Sequence, residues 1–330
     1  MIEDIALIGG AGFVGTRTAN RLKKALIKFS VYDINQINNA HDPIYLDVES
    51  KDFSNIIDQN TKTIINLAAV HRDDIKPLTR YYDVNVNGAK NVCNVARKNN
   101  INRIIFTSSV AVYGFAPSNT DECGEINYFN EYGRTKYLAE NIYKDWFNED
   151  PLNRTLIIVR PTVIFGEGNR GNVYNLLNQI NSKKFAMFGN GKNKKSMAYV
   201  ENVAAFLEFC CSIDKGQHIF NYIDKEDFNM KSLVTLTRKE IFNKNNQGLS
   251  LPAFLGIALG YLADFLSKLI RKPLPVSSIR VKKFMSTTTF SSSVKNTGFK
   301  PPVKIENGLI KTIRYEFMED NSSNITFDTE

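Results

Sequence analysis

The sequence predicts an α/β fold, a Rossmann-type doubly wound parallel sheet followed by a smaller C-terminal substrate lobe. Three observations carry that expectation. Short apolar runs alternate with longer helical stretches from the fifth residue onward. A glycine-rich turn, Gly9 to Gly15, joins the first run to the first helix. After about residue 166 the alternation gives way to loops, short helices and a lone late helix.

Ile5-Ala6-Leu7-Ile8 has no polar residue, the pattern of a strand covered on both faces. Thr16 to Leu26 then reads as a helix, and Phe29-Ser30-Val31-Tyr32 as a second strand that closes at Asp33. Thr63-Ile64-Ile65-Asn66-Leu67 and Arg103-Ile104-Ile105-Phe106-Thr107 repeat the strand pattern, with a helical stretch of roughly Tyr82 to Asn99 between them. Leu156-Ile157-Ile158-Val159 is a later strand of the same kind. Strands separated by helix-length connections must run parallel. The tail, Glu319 to Glu330, is polar except for Ile325 and Phe327, and is expected to be mobile or to dock as a strand.

An apolar fraction of 43% and a charged fraction of 23% are those of a water-soluble globular chain. The opening Met1-Ile2-Glu3-Asp4 lacks the basic start of a secretory signal and leads directly into a strand. Cys93, Cys123, Cys210 and Cys211 fit no zinc spacing and are expected to be reduced packing residues of a cytosolic protein. His41, His71 and His218 are scattered, so no metal is expected. The formal charge is +8, with basic residues gathered late at Lys192, Lys194, Lys195, Arg271, Lys272, Arg280, Lys282 and Lys283. Such a surface suits a polyanionic substrate or an anionic membrane. No nucleic-acid recognition motif accompanies it, so nucleic acid is not expected as a partner.

Gly9-Gly10-Ala11-Gly12-Phe13-Val14-Gly15 satisfies both GxxGxxG and GxGxxG between a strand and a helix. Glycines there permit a tight turn and close backbone approach to a pyrophosphate, and the helix N-terminus supplies N–H donors. Asp33 ends the second strand about 20 residues on, where a carboxylate takes ribose hydroxyls and repels a 2′-phosphate; the expected cofactor is therefore NAD. Asp47 and Val48 are placed beside the adenine. Leu67, Ala68 and Ala69 are small enough for a backbone running along the cofactor. On this basis residues 1–166 form an NAD-binding domain, with later segments returning to it, and 167–330 are mainly the substrate lobe.

Tyr132-Gly133-Arg134-Thr135-Lys136 is YxxxK, and positions i and i+4 share a helix face. A phenol of pKa about 10 is a poor base at neutral pH, but a neighbouring ammonium favours the phenolate. The spacing alone is common. Thr107-Ser108-Ser109-Val110-Ala111-Val112-Tyr113-Gly114, a strand end upstream, supplies a hydroxyl for the same substrate oxygen.

GGAGFVG, TSSVAVYG and YGRTK together resemble the extended short-chain dehydrogenase/reductase family of nucleotide-sugar epimerases and dehydratases. The resemblance implies that Ser109, Tyr132 and Lys136 are catalytic, with Lys136 also on the nicotinamide ribose. It implies cofactor contacts from Phe13, Val14, Ser108 and Val163. Related 4,6-dehydratases carry Asp-Glu after the catalytic hydroxyl; Val110 and Ala111 stand there, which favours epimerisation. Many relatives have Asn at Val163, and an Arg-Asp pair where this chain has Lys195-Ser196.

The segments 68–74, 81–88, 160–177, 195–200 and 276–284 resemble the branch that interconverts undecaprenyl-diphosphate-linked N-acetylglucosamine and N-acetylgalactosamine for surface polysaccharide (O-antigen) synthesis. That likeness implies transient oxidation at C4, a polyprenyl-diphosphate-linked amino sugar as substrate, and sugar or phosphate contacts from His71, Arg72, Ser109, Asn172, Lys195 and Arg280. A homodimer through two helices of the Rossmann domain is a further implication. A lipid-bound substrate asks for a membrane-facing surface. Leu251 to Ala263 is uncharged, Asp264 to Ile270 extends it, and Arg271 and Lys272 follow, the make-up of a helix lying peripherally on the inner face of the cytoplasmic membrane. A core helix is the other reading of that stretch. A UDP-N-acetylglucosamine 4-epimerase and a nucleotide-sugar ketoreductase are the alternatives for the activity.

Overall fold

The computed structural model describes residues 4–36, 41–72, 75–270, 278–322 and 324–327, the Arg280 side chain excepted. In chain order the elements are β1 (Ile5–Ile8), α1 (Phe13–Lys24), β2 (Phe29–Asp33), β3 (Ile44–Tyr45), β4 (Thr63–Asn66) and α2 (Thr79–Tyr81). A π-helical turn (Tyr82–Asn87) leads into α3 (Gly88–Lys98), then β5 (Arg103–Thr107), a 3-10 turn (Val110–Tyr113), α4 (Glu131–Asn148), β6 (Thr155–Pro161) and β7 (Val163–Phe165). There follow α5 (Asn172–Asn181), β8 (Met187–Phe188), β9 (Lys194–Tyr199), α6 (Val200–Cys210), β10 (Gly216–Tyr222), β11 (Asp224–Asn229) and α7 (Met230–Phe242). The chain continues through β12 (Ser250–Leu251), α8 (Ala253–Ile270), α9 (Ser278–Met285), a 3-10 turn (Ser293–Asn296) and α10 (Ile305–Phe317).

Seven strands form the main sheet in the order β10-β6-β5-β4-β1-β2-β3, and every pair is parallel. The order turns back between β1 and β4, opening a crevice at the carboxyl ends of both strands, where ligands of such sheets sit. Ala6, Ile8, Ile64 and Ile104 face one side with Val92 and Ala96 of α3 and Tyr143 and Trp146 of α4. Ile5, Leu7, Ile65 and Ile105 face the other with Ala19 and Leu22 of α1 and Val203, Phe206 and Leu207 of α6. Alternation along each strand therefore feeds two cores, which is why β1 contains no polar position and the centres of β4 and β5 are apolar.

β7, β9 and β11 form a second sheet and β8 pairs with β12. Leu177 of α5, Leu233 of α7, and Ile305, Leu309 and Ile313 of α10 close the lobe around Phe165 and Tyr199.

Several elements differ from expectation. The first helix starts at Phe13, not Thr16, because the glycine turn is shorter than the pattern suggests. The stretch 82–99 is not one helix: Asn85, in the π-helical turn, accepts from Val70 N at 2.9 Å and donates to Val70 O and Thr135 Oγ1, each at 3.0 Å. A side chain engaged in that way sits where the regular ladder is interrupted. The late region holds α8, α9 and α10 rather than a lone helix. Cys93, Cys210 and Cys211 are buried, but Cys123 is exposed and packs in no core. In the tail, Phe327 bridges to the 168–170 loop, donating to Gly168 O at 2.8 Å and accepting from Arg170 N at 2.8 Å.

Candidate active site

The cofactor end is built by steric necessity. Gly9 has φ +76°, and a Cβ there would meet Ala68 N at 2.7 Å and Leu67 C at 2.9 Å. The turn thus rests directly on the 67–69 segment. A Cβ on Gly15 would collide with Gly9 O and lie 2.5 Å from Gly10 Cα. Gly12 is different: its added Cβ would meet only Gly9 O, at 3.4 Å. Gly12 is also the N-cap of α1, and no side chain caps that end. Backbone donors of Phe13, Val14 and Gly15 at an uncapped helix N-terminus, beside a glycine bordered by open space, suit a pyrophosphate.

Asp33 closes this turn from the β2 side. Its Oδ2 accepts Ala11 N at 2.9 Å and its Oδ1 accepts Asn35 N at 2.9 Å. Both bonds fix the carboxylate at the end of β2, against the glycine turn. Asp47 is half-buried and accepts Glu49 N at 2.9 Å. The Val48 side chain is buried against Gly88 under α3, so it belongs to the core. Val163, on β7, is partly exposed.

Tyr132 and Lys136 lie in the first turns of α4, whose N-cap Asn130 accepts Gly133 N at 2.9 Å. A Cβ on Gly133 would collide with Ala111 O, so the head of α4 abuts the 3-10 turn that Ser109 caps. Ser109 Oγ accepts Ala111 N at 3.1 Å. That bond leaves the hydroxyl proton free to point at a substrate oxygen. Val110 and Ala111 occupy the next two positions, and neither supplies a proton donor.

Lys136 is buried, and its ammonium sits 4.4 Å from the Phe106 ring centroid. Burial pushes its pKa down to about 7, opposed by the negative charge of Glu140. Glu140 was not singled out from the sequence. It is wholly buried one turn beyond Lys136, accepting Ser108 Oγ at 2.6 Å, Arg160 Nε at 2.8 Å and Arg160 Nη2 at 2.6 Å. Arg160 Nη1 donates to Tyr113 Oη at 2.6 Å, and Tyr113 Oη donates to Asn221 at 2.9 Å. Ser108 therefore differs from expectation: its hydroxyl is engaged inward rather than offered to a cofactor. The continuing four-residue spacing Tyr132, Lys136, Glu140 is the sequence signal that marks this carboxylate.

His71 and Arg72 follow β4 on the segment held by Asn85. The His71 ring reaches solvent, yet desolvation first, and then the charges of Lys136 and Arg72, hold its pKa below the usual value. Lys195, on β9, donates to Lys283 O at 2.8 Å and Thr288 Oγ1 at 3.1 Å. Burial pushes its pKa down to about 8, and among the described residues no carboxylate lies within ion-pair distance. Asn172 is exposed at the first turn of α5. The side chain of Arg280, and all of Arg271 and Lys272, lie outside the described residues.

Comparison with known proteins agrees with this geometry. The model of the NAD dependent epimerase/dehydratase family matches residues 5–222. The chain is 43% identical over the full length of both proteins to N-acetyl-alpha-D-glucosaminyl-diphospho-ditrans,octacis-undecaprenol 4-epimerase of Escherichia coli O157:H7. It is 26% identical to sterol-4-alpha-carboxylate 3-dehydrogenase of Candida albicans, over 94% of this chain and 97% of that one. Among solved structures it is similar to MoeE5 in complex with UDP-glucose and NAD, with a TM-score of 0.73, 18% identity and coverage of 94% and 98% of the two chains.

Proposed function

The chain belongs to the NAD dependent epimerase/dehydratase family, and from that premise we propose that it interconverts N-acetylglucosaminyl- and N-acetylgalactosaminyl-diphospho-undecaprenol by inversion at C4. The observation that carries this reading is the packing of the Ser109 turn onto the head of α4, the helix that bears Tyr132 and Lys136. The full-length likeness to an enzyme of that name supports the choice of substrate. O-antigen assembly is the use it suggests.

The α1 N-terminus, Asp33 and Lys136 would hold NAD, which when bound would accept a hydride from C4 and return it. The protein manages protons and orientation. Ser109 donates to O4 and holds it. Tyr132, as phenolate, takes the O4 proton while the C4–H bond breaks, and returns it when the bond re-forms on the opposite face. Lys136 favours the phenolate by its charge. With Val110 and Ala111 where a dehydratase would need an acid and a base, water stays on the sugar. No net redox change results, so the enzyme is an isomerase.

Lys195 is proposed as a diphosphate ligand, because a partly buried ammonium lacking a carboxylate partner gains from an anion. His71, Arg72 and Asn172 are proposed along the sugar and phosphates. Residues 1–166 with the returning β10 would form the cofactor domain, and 167–330 otherwise the substrate lobe. A homodimer through cofactor-domain helices is tested by sedimentation of the purified protein.

The lipid reading gains support from α8. Its 18 residues include exposed Phe254, Leu262, Phe265 and Leu269, while Gly256 and Gly260 face the lobe. By length and composition it is apolar enough to cross a membrane. However, Lys282 of α9 donates to Tyr261 Oη at 2.8 Å, midway along α8. A charged group there is costly at the centre of a bilayer but favourable at an anionic surface. The enzyme is therefore proposed as cytoplasmic and peripheral, with α8 lying in the interface. Supplying the purified protein separately with the lipid-linked sugar and with UDP-N-acetylglucosamine tests the substrate; turnover of only the UDP-sugar overturns the proposal.

A further inference from the structure

Two exposed aromatic rings flank the catalytic machinery and have no part in the chemistry above. Phe115 is 64% exposed and follows the 3-10 turn after Ser109; Phe129 is 50% exposed and precedes the N-cap of α4. They come from different segments yet meet edge to face, with centroids 4.6 Å apart. A Cβ on Gly114 would lie 3.3 Å from Phe129 N, so the two segments are fixed against each other. Exposed aromatics of this size lose free energy in water and are a feature that needs an occupant.

The Lys283 ammonium caps both rings, 4.2 Å from the Phe129 centroid and 5.4 Å from that of Phe115. Lys283 belongs to α9, whose carbonyl at the same residue anchors Lys195. α9 is itself tied to the lobe, since Asn193 Nδ2 donates to Phe284 O at 2.8 Å, and to α8 through Lys282. α9 thus joins three groups: the aromatic pair beside the head of α4 through the Lys283 ammonium, Lys195 through the Lys283 carbonyl, and α8 through Lys282. A sugar diphosphate with an isoprenoid chain needs these same partners, cations for its phosphates and apolar surface for its first isoprene units and for the rest of the chain.

We propose that the Phe115–Phe129 pair, capped by Lys283, is the seat of the first isoprene units of the substrate, leading the chain from the diphosphate to α8. This rests on the lipid-linked reading above. Branched isoprene units bury apolar area on such rings.

The test compares N-acetylglucosaminyl diphosphate carrying undecaprenyl with the same diphosphate carrying only a methyl group, each assayed in detergent with the NAD-loaded enzyme. Wild type should favour the undecaprenyl compound in kcat/KM. The double variant Phe115→Ser, Phe129→Ser should lose that preference by about tenfold or more. Phe115→Leu, Phe129→Leu, which keeps apolar surface, should retain most of it. An undiminished preference in the serine variant overturns the seat while leaving the lipid-linked reading intact. Failure of wild type to turn over the undecaprenyl compound, with UDP-N-acetylglucosamine accepted, overturns both.

Discussion

Arg160 holds Glu140 by two points inside the protein, Nη2 2.6 Å from Oε2 and Nε 2.8 Å from Oε1, one helical turn from Lys136. The pair ties β6 to α4, and Ser108 joins it from just beyond the end of β5 at 2.6 Å. Three elements that carry site residues are thereby registered against one another. The carboxylate also raises the Lys136 pKa against the burial that lowers it.

Glu140→Gln should therefore act through Lys136. Activity needs the ammonium that favours the Tyr132 phenolate, and loss of the anion lowers the Lys136 pKa further. The alkaline limb of kcat/KM should move to lower pH by about one unit. The charges facing this group are Arg160, Lys144 and Lys136, with His71 coupled to Lys136. Arg160 loses its partner, so stability should fall by about 3 kcal/mol. A stability loss without movement of the limb would make Glu140 structural only.

Tyr132→Phe should lower kcat by about 10²–10⁴-fold, the range for removing a positioned acid/base, while the purified protein keeps its NAD absorbance. Substantial residual activity would remove Tyr132 from its assigned role. Ser109→Ala should have a smaller effect, since it removes one hydrogen bond to O4 and no proton acceptor.

Lys136 makes a separate prediction about stability. Its pKa falls from 10.5 in the open chain to about 7 on folding. Between those values the unfolded chain binds more protons, so this group's contribution to folding stability improves as pH rises from about 7 towards 10. Denaturant titrations of cofactor-stripped wild type and Lys136→Met across that range check the sign: the variant should lack this component.

The glycine turn separates folding from binding. Gly12→Ala has room in the protein, so its melting temperature without cofactor should match wild type while NAD affinity falls. Gly15→Ala places a methyl 2.5 Å from Gly10 Cα and should lower the melting temperature even without cofactor. Calorimetry with and without NAD distinguishes the two.

Docking of α8 is checked with vesicles containing anionic lipid. Lys282→Glu with Phe265→Ser and Leu269→Ser should reduce co-sedimentation and leave NAD binding unchanged. Equal sedimentation of variant and wild type would mean that this face serves another purpose.

The cofactor half was legible in the sequence because its requirements are local. An apolar strand, glycines where a Cβ has no room, and an acid at the next strand end all fall within 33 residues. Tyr132, Lys136 and Ser109 were legible for the same reason, as short motifs on defined elements. Glu140 was not, because its role depends on Ser108 and Arg160 arriving from other strands. Asn85 likewise looks like one more helical residue until the Val70 loop is placed against it. α9 and α10 were hidden because they bury only short stripes against the lobe, and the Phe115–Phe129 pair joins two loops that no local pattern connects.

Transient oxidation at C4 of a lipid-linked amino sugar is read out with N-acetylglucosaminyl-diphospho-undecaprenol deuterated at C4. Purified enzyme with its bound NAD should yield the N-acetylgalactosaminyl lipid with deuterium retained at C4 and no NADH consumed. Loss of the label to solvent, or a requirement for stoichiometric NADH, would overturn this mechanism.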